Sequence, residues 1–281
     1  MEGIDNIDIY LKRMAATLAD KCWWVEKIPP EIDAVVDYGC AQGDLALYLE
    51  KTVPGRFKYI GIDNSPVMLA LVEQNRERLF GKMETAFYPT IAGIADRCDT
   101  SRAVLVLNSV THEIFSYLSK TEQNALLSEM FSAGFRAITI RDMNMPELDR
   151  QPFDVSGALN ALEVGASAAM WREYNAYLDG KEARRSACWQ DTALRVAEFL
   201  LKYKYTDNWE RERKETYFWD WLRMTEPFWR EAGYGVAYDL KFHIPFLRHQ
   251  IHDDFGIDFP VDTHRKILLC REQTDYSGSA T

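Results

Sequence analysis

The sequence lacks any C-x-x-C pair. Its five cysteines, Cys22, Cys40, Cys98, Cys188 and Cys270, are scattered and odd in number. That spacing argues against a disulfide framework and against a cysteine-built zinc site, and it points to a reducing, cytoplasmic setting. Basic charge is also scarce. There are 33 Lys and Arg against 43 Asp and Glu, a net charge of −10. Phosphate binding normally shows as a basic surface, so a nucleic-acid partner is disfavoured. The run Lys181–Arg185 reads as a solvated helix face rather than a basic patch. No apolar run approaches the ~20 residues a membrane helix needs, and the N-terminus lacks a basic-then-apolar signal pattern, so no membrane partner is expected. Internal repeats and low-complexity segments are missing as well. What is present suffices for a packed core: 47 % of the 281 residues are hydrophobic and 13 % aromatic.

Strand-like and helix-like segments alternate. Apolar spacing from Ile9 to Trp23 predicts a helix from Ile7 to about Lys27, stopped by Pro29-Pro30. Ala34–Asp37, Lys58–Asp63, Arg102–Asn108 and Ala137–Arg141 read as buried strands, with a weaker one near Met83–Tyr88. Helices are expected at Asp44–Glu50, after Ser65-Pro66 (a cap followed by proline at the first helical position), and at Thr121–Phe131. Near-continuous apolar strands alternating with helices predict a mostly parallel sheet with both faces covered. After Asp142 the rhythm breaks. About ninety residues precede the next strand-like stretch, Tyr234–Pro245, several times what one crossover helix needs. The excess reads as a helical insertion, followed by a helix at about Glu210–Ala232 and a final strand at His264–Arg271. The expected organisation is an N-terminal helical segment (1–30), an α/β core (31–145), a helical cap (146–208), the remainder of the core (209–273) and a tail (274–281).

The chemistry concentrates at Asp37-Tyr38-Gly39-Cys40-Ala41-Gln42-Gly43, directly after one strand and before one helix. A nucleoside-type ligand brings backbone close there, which requires small residues at Gly39, Ala41 and Gly43. Asp63, twenty residues after Gly43 at the end of the next strand, can accept hydrogen bonds from both hydroxyls of a ribose. A dinucleotide fingerprint would need a small residue at position 44, where Asp44 stands, and a carboxylate at that helix start would repel a pyrophosphate. A tight turn with no ligand, and a plain helix cap at Asp63, are the structural alternatives.

Val35–Gly43 resembles the first motif of class I methyltransferases that use S-adenosyl-L-methionine (SAM). It matches at Asp37, Gly39 and Gly43 and departs at Ala41, where glycine is usual. Tyr59–Pro66 resembles the second motif, Leu105–Ile114 the fourth-strand region, and Ala232–Ile244 with Thr263–Arg271 the last two strands. The resemblance implies a Rossmann-like, mostly parallel seven-stranded sheet with an antiparallel edge strand, and SAM as cofactor. It assigns the methionine part to Asp37, Gly39 and the backbone of Cys40, Ala41 and Gly43. Asp63 falls to the ribose, Asn64 and Ser65 to the adenosine side, and Asp96 to the adenine amine. Asn108 and Ser109 would lie next to the sulfonium.

His112, followed by Glu113, is the foremost catalytic candidate: an imidazole can take a proton from an acceptor, or can simply hold a position beneath the cofactor. Glu113 is a second candidate base. Arg141, closing the fifth strand beside Asp142, either faces the acceptor or forms an internal ion pair. His249 and His252 share a helix face with Asp253 and Asp254 nearby. A polar surface helix is the preferred reading there, and no metal site is expected. Six of the eight tryptophans fall between Trp171 and Trp229. With Tyr174, Tyr177 and Tyr217 they either line a pocket for a flat substrate or glue the inserted helices to the sheet. The expected activity is methyl transfer to an oxygen or nitrogen of a small molecule. Modification of a nucleic acid or protein, other SAM chemistry, and a non-catalytic SAM-binding module are the alternatives.

Overall fold

A computed structural model describes residues 17–80, 83–145, 197–204, 209–212, 214–259 and 261–271. The expected tail, most of the cap, Trp171, Trp189, Tyr174, Tyr177, Cys188 and Lys181–Arg185 lie outside these residues, as does the side chain of Trp209. Strands β1 (Ala34–Tyr38), β2 (Lys58–Ile62), β3 (Thr85–Tyr88), β4 (Ala103–Asn108), β5 (Ala137–Met143), β6 (Tyr234–Phe242) and β7 (His264–Arg271) form one sheet in the order β3-β2-β1-β4-β5-β7-β6. β3, β2, β1, β4 and β5 run parallel, and β7 pairs antiparallel with both β5 and β6. The helices are α1 (Leu18–Lys21), α2 (Asp44–Thr52), α3 (Pro66–Phe80), α4 (Thr111–Tyr117), α5 (Lys120–Ser132), α6 (Trp209–Glu212), α7 (Trp221–Glu231) and α8 (Pro245–Phe255).

The strand alternation explains why both faces need cover. Val36, Leu105, Leu107, Ile138 and Ile140 point to one face, against Ile114 of α4, Leu127 and Met130 of α5, and Trp221 and Trp229 of α7. Val35, Val104, Val106 and Ala137 point to the other, against Leu45 and Leu49 of α2, Val72 of α3, and Trp24. Full burial of such side chains contributes ~1.5–3 kcal/mol each. Trp219 and Trp221 stack beside Phe115 and Phe131, with ring centroids 5.3 and 6.2 Å apart. These tryptophans belong to the packed core of the sheet domain. Residues 197–204, the described part of the expected cap, pack through Phe199, Leu200 and Tyr203 on Leu247, Ile251 and Phe255 of α8.

Two expectations need correction. Within the described residues the N-terminal helix ends at Lys21 and gives way to turns through Lys27. The helix expected over 210–232 is two helices, α6 and α7, parted by the non-helical stretch 214–220. Asp220 caps α7 by accepting from Arg223 N at 3.3 Å, a helix start that apolar spacing alone does not reveal. At α3 the expected cap is formed: Ser65 Oγ accepts from Met68 N at 3.4 Å, and Pro66 is the first helical residue.

Two buried positions behind the first turn carry specific energetic weight. A Cβ on Gly61 would stand 2.6 Å from Phe87 Cδ1 and 2.7 Å from Cys40 Sγ. Gly61→Ala is therefore expected to cost about 1–3 kcal/mol, measured as a lowered melting temperature. An unchanged melt would show that the sheet yields there. Asp37, wholly buried, accepts from Tyr59 Oη at 2.5 Å. Burial pushes its carboxyl up to about 6, against the opposing pull of Tyr59 and Lys21. Because this value lies above the 3.8 of an unperturbed Asp, its contribution to stability is complete below 3.8 and is lost as the pH rises through about 6. Asp37→Asn keeps the shape and an acceptor for Tyr59. It is expected to melt higher than wild type above pH 6, by up to about 3 kcal/mol, with the gap closing on acidification. A gap independent of pH in parallel melts would contradict this account.

Candidate functional site

The chain leaves β1 on one side to build β2 and β3 and returns on the other to build β4. The switch point therefore lies between the carboxyl ends of β1 and β4, where open α/β sheets receive ligands. A cavity of about 420 Å³ opens there. Its walls come from the ends of β1, β2 and β4, from Pro89–Ile91 after β3, from α4 and α5, and from Arg211 of α6.

The first turn is built to approach a ligand. Gly39 and Gly43 have φ of 80° and 81°, and Ala41 is itself in the left-handed region at 47°. A Cβ on Gly39 would press on Val110 Cγ2 at 3.0 Å, so glycine serves both backbone and space. Asp63 holds the turn. Its Oδ2 accepts from Ala41 N and its Oδ1 from Ser65 N, each at 2.8 Å. One carboxylate thus fixes both the glycine turn and the start of α3. Asn108 ends β4 with its Nδ2 donating to Lys21 O at 3.4 Å, while its Oδ1 is buried without a hydrogen-bond partner. Ser109 follows in the left-handed region at φ 56°.

Of the residues expected to hold a cofactor, Gly39, Ala41, Asp63, Asn64, Asn108 and Ser109 line this cavity. The others do not. Asp37 is behind the turn on Tyr59, and Cys40 is buried against the sheet beside Gly61. Gly43 caps α2, Ser65 caps α3, and Asp96 is exposed at the end of a 3-10 turn.

Among the catalytic candidates, only Glu113 lines the cavity. His112 is clamped: its Nδ1 lies 2.7 Å from Asp142 Oδ1 and its Nε2 3.3 Å from Glu215 Oε2. Burial alone would lower its pKa, but the two carboxylates prevail and hold it well above the usual histidine value. An imidazolium with both nitrogens engaged has no lone pair with which to take a proton, so this geometry supports the positioning reading of His112. Asp142 is held down at about 2, where His112 and Thr111 overcome its desolvation. Arg141 forms the internal ion pair: its Nε is 2.8 Å from Asp20 Oδ2 and its Nη1 3.3 Å from Ser109 Oγ.

The other half of the clamp was not foreseen. Glu215 follows α6, in a stretch read as uninterrupted helix. Arg211 Nε donates to Glu215 Oε1 at 2.9 Å, and Arg211 Nη2 pairs with Glu113 Oε1. Tyr117 Oη donates to Glu215 Oε1 at 3.2 Å, and the Tyr217 ring stands edge-on to His112 at 5.3 Å. Burial raises the Glu113 pKa against the pull of Arg211. Lys21, which the sequence did not single out, is buried beside Asp37, Arg141 and Asp142, and burial draws its pKa down to about 8. His252 instead pairs with Asp258 at the surface, 3.3 Å away.

Residues 35–134 match the model of a methyltransferase domain family. No curated protein matches the sequence. Among solved structures, PKMT2 from Rickettsia typhi superposes with a TM-score of 0.50 at 14 % identity, over 88 % of this chain and 50 % of that one. An S-adenosylmethionine-dependent methyltransferase described as putative, from Listeria monocytogenes, gives 0.48 at 13 %, over 91 % and 100 %. An O-methyltransferase family protein from Burkholderia thailandensis gives 0.49 at 13 %, over 95 % and 60 %. At such identities the likeness is one of fold. Residues 35–134 are thus similar to a methyltransferase domain, and they carry four strands of a Rossmann-like sheet, β1 to β4, together with most of the switch-point cavity.

Proposed function

We propose that the chain transfers a methyl group from SAM to an oxygen or nitrogen of a small molecule. The observation that carries this reading is the cavity, which joins the Gly39–Ala41 turn, the Asp63–Asn64 corner and the Asn108–Ser109 strand end in one space. The residues fit the cofactor. Asn108 Oδ1, buried and unpartnered, suits an N–H of the amino-acid end. Asp63 has accepted one backbone N–H at each oxygen and retains lone pairs for ribose hydroxyls. Pro89, Thr90, Ile91, Val110 and Ile114 offer a mostly apolar lining suited to a purine. Bound there, the cofactor supplies an activated methyl group on a sulfonium.

The chain's own contribution is then alignment and exclusion of water. The protonated His112 holds Glu215, Glu215 holds Arg211, and Arg211 closes the cavity wall beside Glu113. Of the three catalytic candidates, Glu113 is the one placed to meet a ligand in this cavity. The acidic net charge favours a small acceptor over a polyanion. Among the described residues no helix is long and apolar enough to cross a membrane. The four described cysteines are free, which supports the cytoplasm as the proposed location.

Calorimetry with SAM and S-adenosylhomocysteine tests the reading. Micromolar binding is expected, weakened about tenfold to hundredfold in Asp63→Asn, which loses the charge on the ribose contact. A folded wild-type protein that binds neither ligand at millimolar concentration would sink the proposal.

A further inference from the structure

The clamp around His112 has the makings of an ion site. We propose that His112, Glu113 and Glu215 bind one divalent first-row cation of the Mn²⁺ or Zn²⁺ kind in the cavity wall. A ring nitrogen of His112 and an oxygen from each of the two glutamates lie within 4.8 Å of one another. The 3.3 Å between His112 Nε2 and Glu215 Oε2 is the separation of two ligand atoms sharing a cation. Bond lengths of ~2.0–2.2 Å at octahedral to tetrahedral angles put such atoms ~3.0–3.5 Å apart.

The surrounding bonds aim those atoms. Asp142 Oδ1 takes His112 Nδ1, and Asp142 Oδ2 accepts from Thr111 Oγ1 at 2.6 Å and His112 N at 3.0 Å. Metal-ligating histidines are commonly oriented in this way, with the other nitrogen left for the ion. Arg211 and Tyr117 occupy Glu215 Oε1, while Oε2 faces His112 and accepts a long bond from Tyr217 Oη at 3.5 Å.

Charge supports the same conclusion. The Glu215 side chain is 3 % exposed and that of His112 10 %. Four carboxyl groups, on Glu113, Asp142, Glu212 and Glu215, meet here with Arg211 and Lys202. With His112 protonated, this group carries one uncompensated negative charge, an expensive condition for buried carboxylates. A divalent ion that takes the place of the His112 Nε2 proton cancels it. One imidazole with two carboxylates is a donor set for Mn²⁺ or Zn²⁺, rather than for the all-oxygen cages of Ca²⁺ or the thiolates of Cu⁺. Glu113 lines the cavity, so open coordination positions of the ion would face a ligand there.

The test needs no cofactor, so its outcome is independent of the SAM reading. The whole chain, freed of metal with a chelator, is titrated with Mn²⁺ while the free-ion paramagnetic resonance signal and the heat are followed. One ion is expected to bind with a Kd on the order of 10 µM or tighter. Glu113→Gln and Glu215→Gln should each weaken it at least tenfold, and a nitrogen coupling in the pulsed spectrum should vanish in His112→Gln. Thermal melts report folding, and partly exposed Glu113 keeps the test decisive should Glu215→Gln unfold. No binding of Mn²⁺ or Zn²⁺ at millimolar concentration overturns the site and leaves a metal-free ion-pair clamp. So does binding that Glu113→Gln leaves unchanged.

Discussion

One carboxylate sets the geometry on which the cavity depends. Asp63 receives the N–H of Ala41 from the first turn and the N–H of Ser65 from the start of α3. Both donors would otherwise be orphans at places where the chain changes direction. Gly39 N and Cys40 N meanwhile converge on Ile62 O at 2.7 and 3.0 Å. The turn after β1 is thus strapped to the end of β2 by backbone and side chain together. The left-handed Ala41, unfavourable by roughly 1–2 kcal/mol for a residue with a Cβ, persists because its N–H has nowhere better to go.

The opposite wall is held by different means. There the satisfied groups are side chains, and the order is Asp142, His112, Glu215, Arg211, Glu113. Removing one member of such a series strands another charge in a buried place, so its members behave as a unit. His112 sits in the middle, and its proton is what reconciles two carboxylates. The residue most easily read as a base is therefore the least free to act as one. Alignment of a reactive donor with its acceptor demands rigidity more than proton transfer, and the series supplies rigidity.

The sheet was legible in the sequence because each strand is a short apolar run ending in a turn residue, a pattern that survives without knowledge of partners. The glycine turn and Asp63 were legible because ligand approach dictates residue size and charge at fixed spacing. The clamp was not. Glu113 and Arg211 stand 98 positions apart, and nothing local to Arg211 or Glu215 marks them as more than polar residues of a helix. The break between α6 and α7 was hidden for a related reason. Apolar spacing continues through Tyr217 and Trp219 into Trp221, yet Tyr217 and Trp219 face the core from a non-helical backbone and the helix begins only at Trp221. Asp96 failed in the other direction: its place after β3 was right in order, but the cavity there is lined by Pro89, Thr90 and Ile91.

This contrast divides the cavity into two parts of different origin. The wall formed by Gly39 and Ala41, Ile62–Asn64, Pro89–Ile91, Asn108–Val110 and the facing residues of α4 and α5 lies wholly within residues 35–134, the segment that matches the methyltransferase domain. Its key bonds join backbone N–H groups to the Asp63 carboxylate and to Ile62 O. Arg211, and Glu215 behind it, enter from beyond that segment, from the stretch of chain between β5 and β6. They are tied back to it through His112, Glu113 and Tyr117. A ligand common to the domain would rest on the first wall. Under the proposed methyl transfer, an acceptor particular to this chain would be read by groups outside that segment, and among the described residues that line the cavity Arg211 is the one that lies there.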